Sequence, residues 1–380
     1  PRLSWASRTL QVMRWVVAVV VVATLAGACA GSGSETATTI RPTTGPTTTT
    51  TTAAPSTTSS APPDTTVAPA AAAGASGIGD PFYPDLGNGG YDVDHYSLEL
   101  DLDPVTSDLI ATTTIESVAT MNLSRFSLDF TGFEVTSLLI DGTPATYERQ
   151  GSKLVVDPPT AIPTGAGFTT TVSYAGRPAQ VASRAISFGV GWQSTPSGHH
   201  YVVAEPDAAH TWFPTNDHPR DKATYTFRIT VPEAVIAAAN GTLVETVPTA
   251  GGATWVWEMD DPMAPYLATI VVGDFEIVED KASSEIAGLP VRNVLPPHLA
   301  AAPPVAVQRT GEMIVFLADL FGPYPFATYG IAVVDDFPAA LENQTLSVFG
   351  AGLESNEAII MHELAHQWFG DGVSTNTWED

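Results

Sequence analysis

Cysteine is almost absent: Cys29 is the only one in 380 residues. No internal disulfide braces such a chain, and its stability must come from a buried core. Basic side chains are also scarce, 15 Lys and Arg against 41 Asp and Glu, for a formal net charge of −26. That balance leaves no basic surface to neutralise a run of phosphates, which excludes nucleic acid as an expected partner. It names no substrate, because acidity also serves solubility. Long apolar runs are missing except for Trp15 to Ala26, which is too short for a comfortable membrane span. The length predicts two or three domains and a large core.

The one apolar run has the shape of an export signal. Arg2, Arg8 and Arg14 form a positive region ahead of it, and small residues follow up to Cys29. Pro1 is no initiator, whereas Met13-Arg14 before the apolar run makes a compact start, so residues 1–12 are expected to precede the true start. Cys29 follows Leu25-Ala26-Gly27-Ala28, a stretch that resembles a bacterial lipobox, with the leucine farther from the cysteine than is usual. Lipidation of Cys29 would tie an exported protein to the outer face of a membrane without spanning it. The alternative is a simple cleaved signal peptide that leaves a free thiol. Residues 30–79 are low complexity, rich in Thr, Pro and Ala, and are expected to be a disordered tether.

From Tyr91 the pattern changes to short alternating or β-branched runs: His95 to Leu102, Ala111 to Thr120, Glu134 to Ile140, Phe168 to Tyr174, Ala223 to Val231 and Ala268 to Gly273. Asp141-Gly142, Asp157-Pro158-Pro159 and Asn240-Gly241 are turn signals between them. These imply an all-β domain of saddle or sandwich type over residues 80–285. Ala302 to Phe321 has helical periodicity, ended by Gly322-Pro323-Tyr324-Pro325. Ile331 to Val334 and Thr345 to Phe349 read as strands, so residues 286–380 are expected to open an α+β domain, cut off partway. His199-His200 and His210 are expected to be surface or turn residues, Asp335-Asp336 a solvated turn, and Trp255 and Trp257 packing residues.

The chemistry concentrates at His362-Glu363-Leu364-Ala365-His366. This is the HExxH pattern of zinc-dependent peptide hydrolases. On a helix, residues four apart share a face, so both imidazoles reach one metal ion. Glu363 then lies on the side where a water would be activated. Ser355 or Asn356 is the expected N-cap and Gly370 the expected C-cap.

The longer pattern resembles the M1 zinc aminopeptidases, a gluzincin family. HELAHQWFGD, from His362 to Asp371, is similar to that family's extended zinc-helix motif. Ala339-Ala340-Leu341-Glu342-Asn343 is similar to its GxMEN motif, with Ala for Gly and Leu for Met. Glu205-Pro206, Trp212-Phe213-Pro214, Asn216-Asp217-His218-Pro219 and Lys222-Ala223 resemble its N-terminal-domain signature, and Gly322 to Phe326 also fits. The family's glutamine two residues before Glu205 is Val203 here.

The resemblance implies a thermolysin-like fold for the catalytic part and Zn²⁺ held by the neutral imidazoles of His362 and His366. Glu363 would be general base, then general acid. Glu342 would hold the substrate's free α-amino group, and Glu205 would add a second amine contact. Backbone groups of Ala339 and Ala340 would line the peptide as an added strand. The family's third ligand, a glutamate, would fall at about position 385, past Asp380, so the chain is expected to be a fragment. The expected function is removal of N-terminal residues from peptides outside the cell. The alternatives are an endopeptidase or epoxide hydrolase with the same site, or a noncatalytic surface module that binds peptides.

Overall fold

Alternation of buried and solvent-facing positions makes the first folded half a set of strands. In Tyr91–Asp103, the buried positions run Tyr91, Val93, then Tyr96, Leu98, Leu100 and Leu102. The alternation slips by one residue where the register to the next strand shifts, between Val93 and His95, which is the signature of a β-bulge. The computed structural model describes residues 70–379. Met13, Cys29, the export segment and most of the expected tether lie outside the described residues.

An eight-stranded sheet has the spatial order Thr242–Thr249, Gly252–Met263, Ala223–Pro232, Tyr91–Asp103, Asp108–Ala119, Gly167–Gly176, Glu134–Ile140, Thr143–Pro144. Its pairings are antiparallel except for Tyr91–Asp103 with Ala223–Pro232, which run parallel. A second sheet of five strands orders Gln180–Ala182, Gly189–Ser194, His200–Val203, Ile270–Gly273 and Ile236–Ala239. A four-stranded sheet contains Leu123–Asp129 and Lys153–Asp157. Aromatic side chains fill the space between: Tyr96, Phe213, Tyr225, Phe227 and Trp257 are all fully buried. Tyr96 stacks on Tyr225 at 5.0 Å and meets Phe213 edge-on at 5.5 Å.

The following chain builds another five-stranded sheet, ordered Glu276–Glu279, Arg292–Leu295, Ile331–Val334, Ser347–Gly350, Ala340–Leu341. Helices Thr310–Phe321 and Glu357–His366 pack with it over a second core that includes Ile314, Leu317, Tyr329, Phe349, Ile360 and Leu364. The described residues belong to one compact unit. A strand-rich N-terminal part followed by a mixed part of sheet and helices is therefore the architecture observed.

Several boundaries differ from the expectation. The tether was expected to reach residue 79, yet Ala72–Ala73 forms a short parallel strand on Leu123–Asp129. Backbone bonds from Gly74 N–H to Arg125 O and from Gly89 N–H to Ala75 O hold this stretch, so low complexity did not prevent ordering. A change at 285/286 falls within the last sheet's own chain, because Glu276–Glu279 pairs with Arg292–Leu295. The helix expected over Ala302–Phe321 is broken: Val305–Gln308 and Thr310–Phe321 are separate, with Arg309 out of helical geometry between them.

Candidate active site

The HExxH segment lies on the ten-residue helix Glu357–His366. Asn356 caps it, its Oδ1 accepting the Ala358 N–H at 3.0 Å. Ile360 and Leu364, one turn apart, are fully buried in the second core and fix the helix's rotation. The helix ends at His366, earlier than a Gly370 C-cap would place it. Gly370 instead serves the turn beyond, with φ of 124° and its N–H donated to Val373 O.

That rotation brings the two imidazoles together. His362 Nε2 and His366 Nε2 are 3.2 Å apart, and the rings stand nearly perpendicular, at 88°. His366 Nδ1 is 3.1 Å from Phe369 O, a carbonyl that can only accept. Its proton is therefore on Nδ1, which leaves the Nε2 lone pair facing His362. Two nitrogens at ~2.0–2.1 Å from a tetrahedral zinc ion are about 3.3 Å apart, so the donor pair fits that metal. Partial burial, then His366, lowers the pKa of His362 and favours the neutral, ligating form. His362 is otherwise exposed.

Carboxylates surround the histidines. Ligand atoms of Glu342, Glu363 and His366 all lie within 4.8 Å of one another. Glu363 is buried on the helix, and Glu342 is buried just past the strand Ala340–Leu341. Burial first, then the charges of Glu342 and Glu205, push the Glu363 carboxyl up to about 9. Burial likewise raises Glu342, and burial followed by Glu342 raises Glu205. Three carboxyls that resist joint ionisation make a site that favours a cation. A dication or an ammonium would restore all three to their charged forms.

Glu205 lies two residues past the strand His200–Val203 and faces this cluster from the β-rich part. Ala339 and Ala340 lie at the other side. Ala340–Leu341 is the edge strand of its sheet and pairs on one side only, with Ser347–Gly350. Among the described residues no strand pairs with its other edge, the side to which an extended peptide could add. The structure thus gathers His362, Glu363, His366, Glu342 and Glu205, with Ala339 and Ala340 on the adjoining edge.

His199, His200 and His210 are not part of this gathering, and none is a loose surface residue. His199 and His200 are buried; His200 contacts Ser194 Oγ and Pro104 O, and His199 packs on Phe275 at 4.3 Å. His210 Nδ1 is 2.7 Å from Asp217 Oδ2. Asp335 accepts from Ser197, so the Asp335-Asp336 turn is only partly solvated. Trp257 is core, as its alternation predicts, with the Arg292 guanidinium 4.6 Å above its ring.

Two residues of the site carried no role in the sequence reading. Asp371 is fully buried, and neither carboxylate oxygen has a partner among the described residues. Burial, then Glu342, pushes its pKa up. Lys222, from the β-rich part, donates to the Asp371 backbone carbonyl at 2.5 Å. Both belong to the motif stretches read from the sequence, but their contact joins positions far apart in the chain, which no local pattern encodes.

Sequence models of the peptidase M1 N-terminal domain and of the peptidase family M1 domain match residues 92–267 and 305–380. Human endoplasmic reticulum aminopeptidase 1 is 26% identical over 316 residues, 75% of this chain and 33% of that protein. Leukotriene A-4 hydrolase of Xenopus laevis is 24% identical over 310 residues, 76% of this chain and 49% of that protein. The chain thus spans half or less of the length of these relatives. A crystal structure of an M1 zinc metallopeptidase from Deinococcus radiodurans with a Tyr-Ser-Ala substrate superposes with a TM-score of 0.74 at 31% identity. The match covers 80% of this chain and 70% of that one.

Proposed function

Because the chain belongs to peptidase family M1, we propose that it is a zinc aminopeptidase that removes residues from the free N-termini of peptides outside the cell. The observation that carries this reading is the buried Glu342 carboxylate placed with Glu363 and His366 within 4.8 Å. A second carboxylate beside the general base is the partner an α-ammonium needs. A noncatalytic module would leave Glu363 without use.

Zinc held by His362 and His366 would supply Lewis acidity toward the scissile carbonyl. The remaining work belongs to this chain's residues. Glu342, with Glu205 opposite, holds the α-ammonium and sets how far the N-terminus enters, so the first peptide bond lies over the helix. Ala339 and Ala340 offer an open strand edge to the peptide backbone. A Glu363 carboxylate oxygen takes the proton of the attacking water as its oxygen adds to the carbonyl carbon. The same oxygen returns that proton to the amine nitrogen as the C–N bond breaks.

The test is a pair of peptides identical but for N-acetylation. The wild type is expected to cleave the free peptide at least about a hundred-fold better, and Glu342→Ala to erase that preference. Equal cleavage of both peptides by the wild type rules the aminopeptidase reading out. For location, we propose lipidation at Cys29; Cys29→Ser is expected to release the protein from the membrane fraction, and unchanged partitioning would dismiss the anchor.

A further inference from the structure

Glu342 follows a strand of two residues and has no strand partner of its own. Something else must fix the height of its carboxylate above the metal helix. The segment 343–345 is tied to the β-rich part by uncharged bonds. Asn343 Nδ2 donates to Leu267 O at 3.1 Å, Asn240 Nδ2 to Gln344 O at 2.6 Å, and Gly241 N–H to Thr345 Oγ1 at 2.7 Å. On the metal-helix side one side chain makes the connection. Gln367 is fully buried; its Nε2 donates to Glu342 O at 2.9 Å. Its Oε1 accepts from Thr345 N–H at 2.8 Å and from Tyr324 Oη at 3.2 Å.

We infer that Gln367 is a positioning residue that couples the amine-anchoring Glu342 to the metal-binding histidines. It adjoins His366 in sequence, so the turn of backbone that aims one imidazole also aims this amide, about 100° further round the helix. The two ends of the amide span Glu342 and Thr345, which fixes the loop's height and its tilt. The staple is made of neutral groups among several carboxylates, so it holds whatever their protonation. Gln367 does not touch substrate; it acts through Glu342, and the inference rests on the reading of Glu342 as amine anchor.

The experiment uses the intact protein with Gln367→Met, which keeps the volume and removes the bonds. Gln367→Glu keeps the acceptor for Thr345 N–H and places an oxygen opposite Glu342 O in place of the N–H donor. In an inactive Glu363→Ala background, calorimetry reads binding of L-arginine and of its N-acetyl derivative. Both Gln367 variants are expected to weaken L-arginine about ten-fold, the effect of losing one or two neutral hydrogen bonds, with zinc content unchanged. In the active background the same loss should appear in KM for a free-amine peptide and in the ratio of free to acetylated cleavage. A folded, zinc-replete Gln367 variant with wild-type L-arginine affinity and wild-type selectivity overturns the inference. Glu342→Gln run in parallel separates the causes. If it too leaves amine selectivity intact, the reading of the site fails; if it alone destroys selectivity, only the role of Gln367 fails.

Discussion

In the proposed reaction Glu363 carries the proton, and its environment suits a glutamate to that role. Its carboxyl is buried beside two others and is pushed up to about 9 without a bound cation. Cation binding nearby reverses the local charge balance and gives the carboxylate form that a base needs. Glu363→Gln keeps the shape and loses the proton relay, so kcat is expected to fall by about 10²–10⁴ while zinc content stays the same. A variant that retains wild-type kcat would remove Glu363 from the reaction. That His362, Glu363, His366, Glu342 and Glu205 would come together was legible in the sequence because each lies in a short, ordered motif. Asp371 and Gln367 were in view as letters of the same motif, but their burial and partners depend on chain positions such as Lys222 and Thr345 that only the fold brings near.

At the scale of elements, alternation located most long strands of the β-rich part, since half-buried strands have a two-residue period. It failed where backbone geometry decides. Arg309 leaves helical geometry, and its guanidinium pairs with Glu312 and Glu357 at 2.8 and 2.7 Å, so the expected long helix divides there. In the segment that runs on from Glu205, a buried ion pair joins His210 to Asp217 at 2.7 Å. Burial lowers the pKa of His210, but the hydrogen bond and charge of Asp217 outweigh it, leaving the value above the ordinary 6.5. A histidine raised on folding contributes stability that is complete below the unfolded pKa and fades as pH rises through the folded one. Denaturation midpoints from pH 5.5 to pH 8.5 should therefore show a falling component that Asp217→Asn removes. An unaltered pH slope in that variant would show that the pair is not a source of it.

Across the whole molecule, the site exists because two differently built parts meet. Arg292, from the sheet that carries Glu276–Glu279 and Ile331–Val334, reaches back over the Trp257 ring and donates to Ala239 O at 3.1 Å and to Gly241 O. Burial pushes its pKa down to about 10, and it is still a cation at neutral pH. Lys222 crosses the same boundary from the other side, to Asp371 O. These contacts hold together the two parts from which Glu205 and Glu342 come, and the two carboxyls are near enough for the charge of Glu342 to raise the pKa of Glu205. No periodicity or motif reveals that meeting, because it depends on pairs more than a hundred residues apart, such as Asn240 with Gln344 at 2.6 Å.

The most direct measurement follows the products of one peptide with a free N-terminus by mass spectrometry, with the intact protein in its zinc-loaded, chelated and zinc-restored forms. The account predicts a ladder of products shortened one residue at a time from the N-terminus, abolished by chelation and recovered with zinc. Internal cleavage products, or a ladder unaffected by chelation, would contradict it.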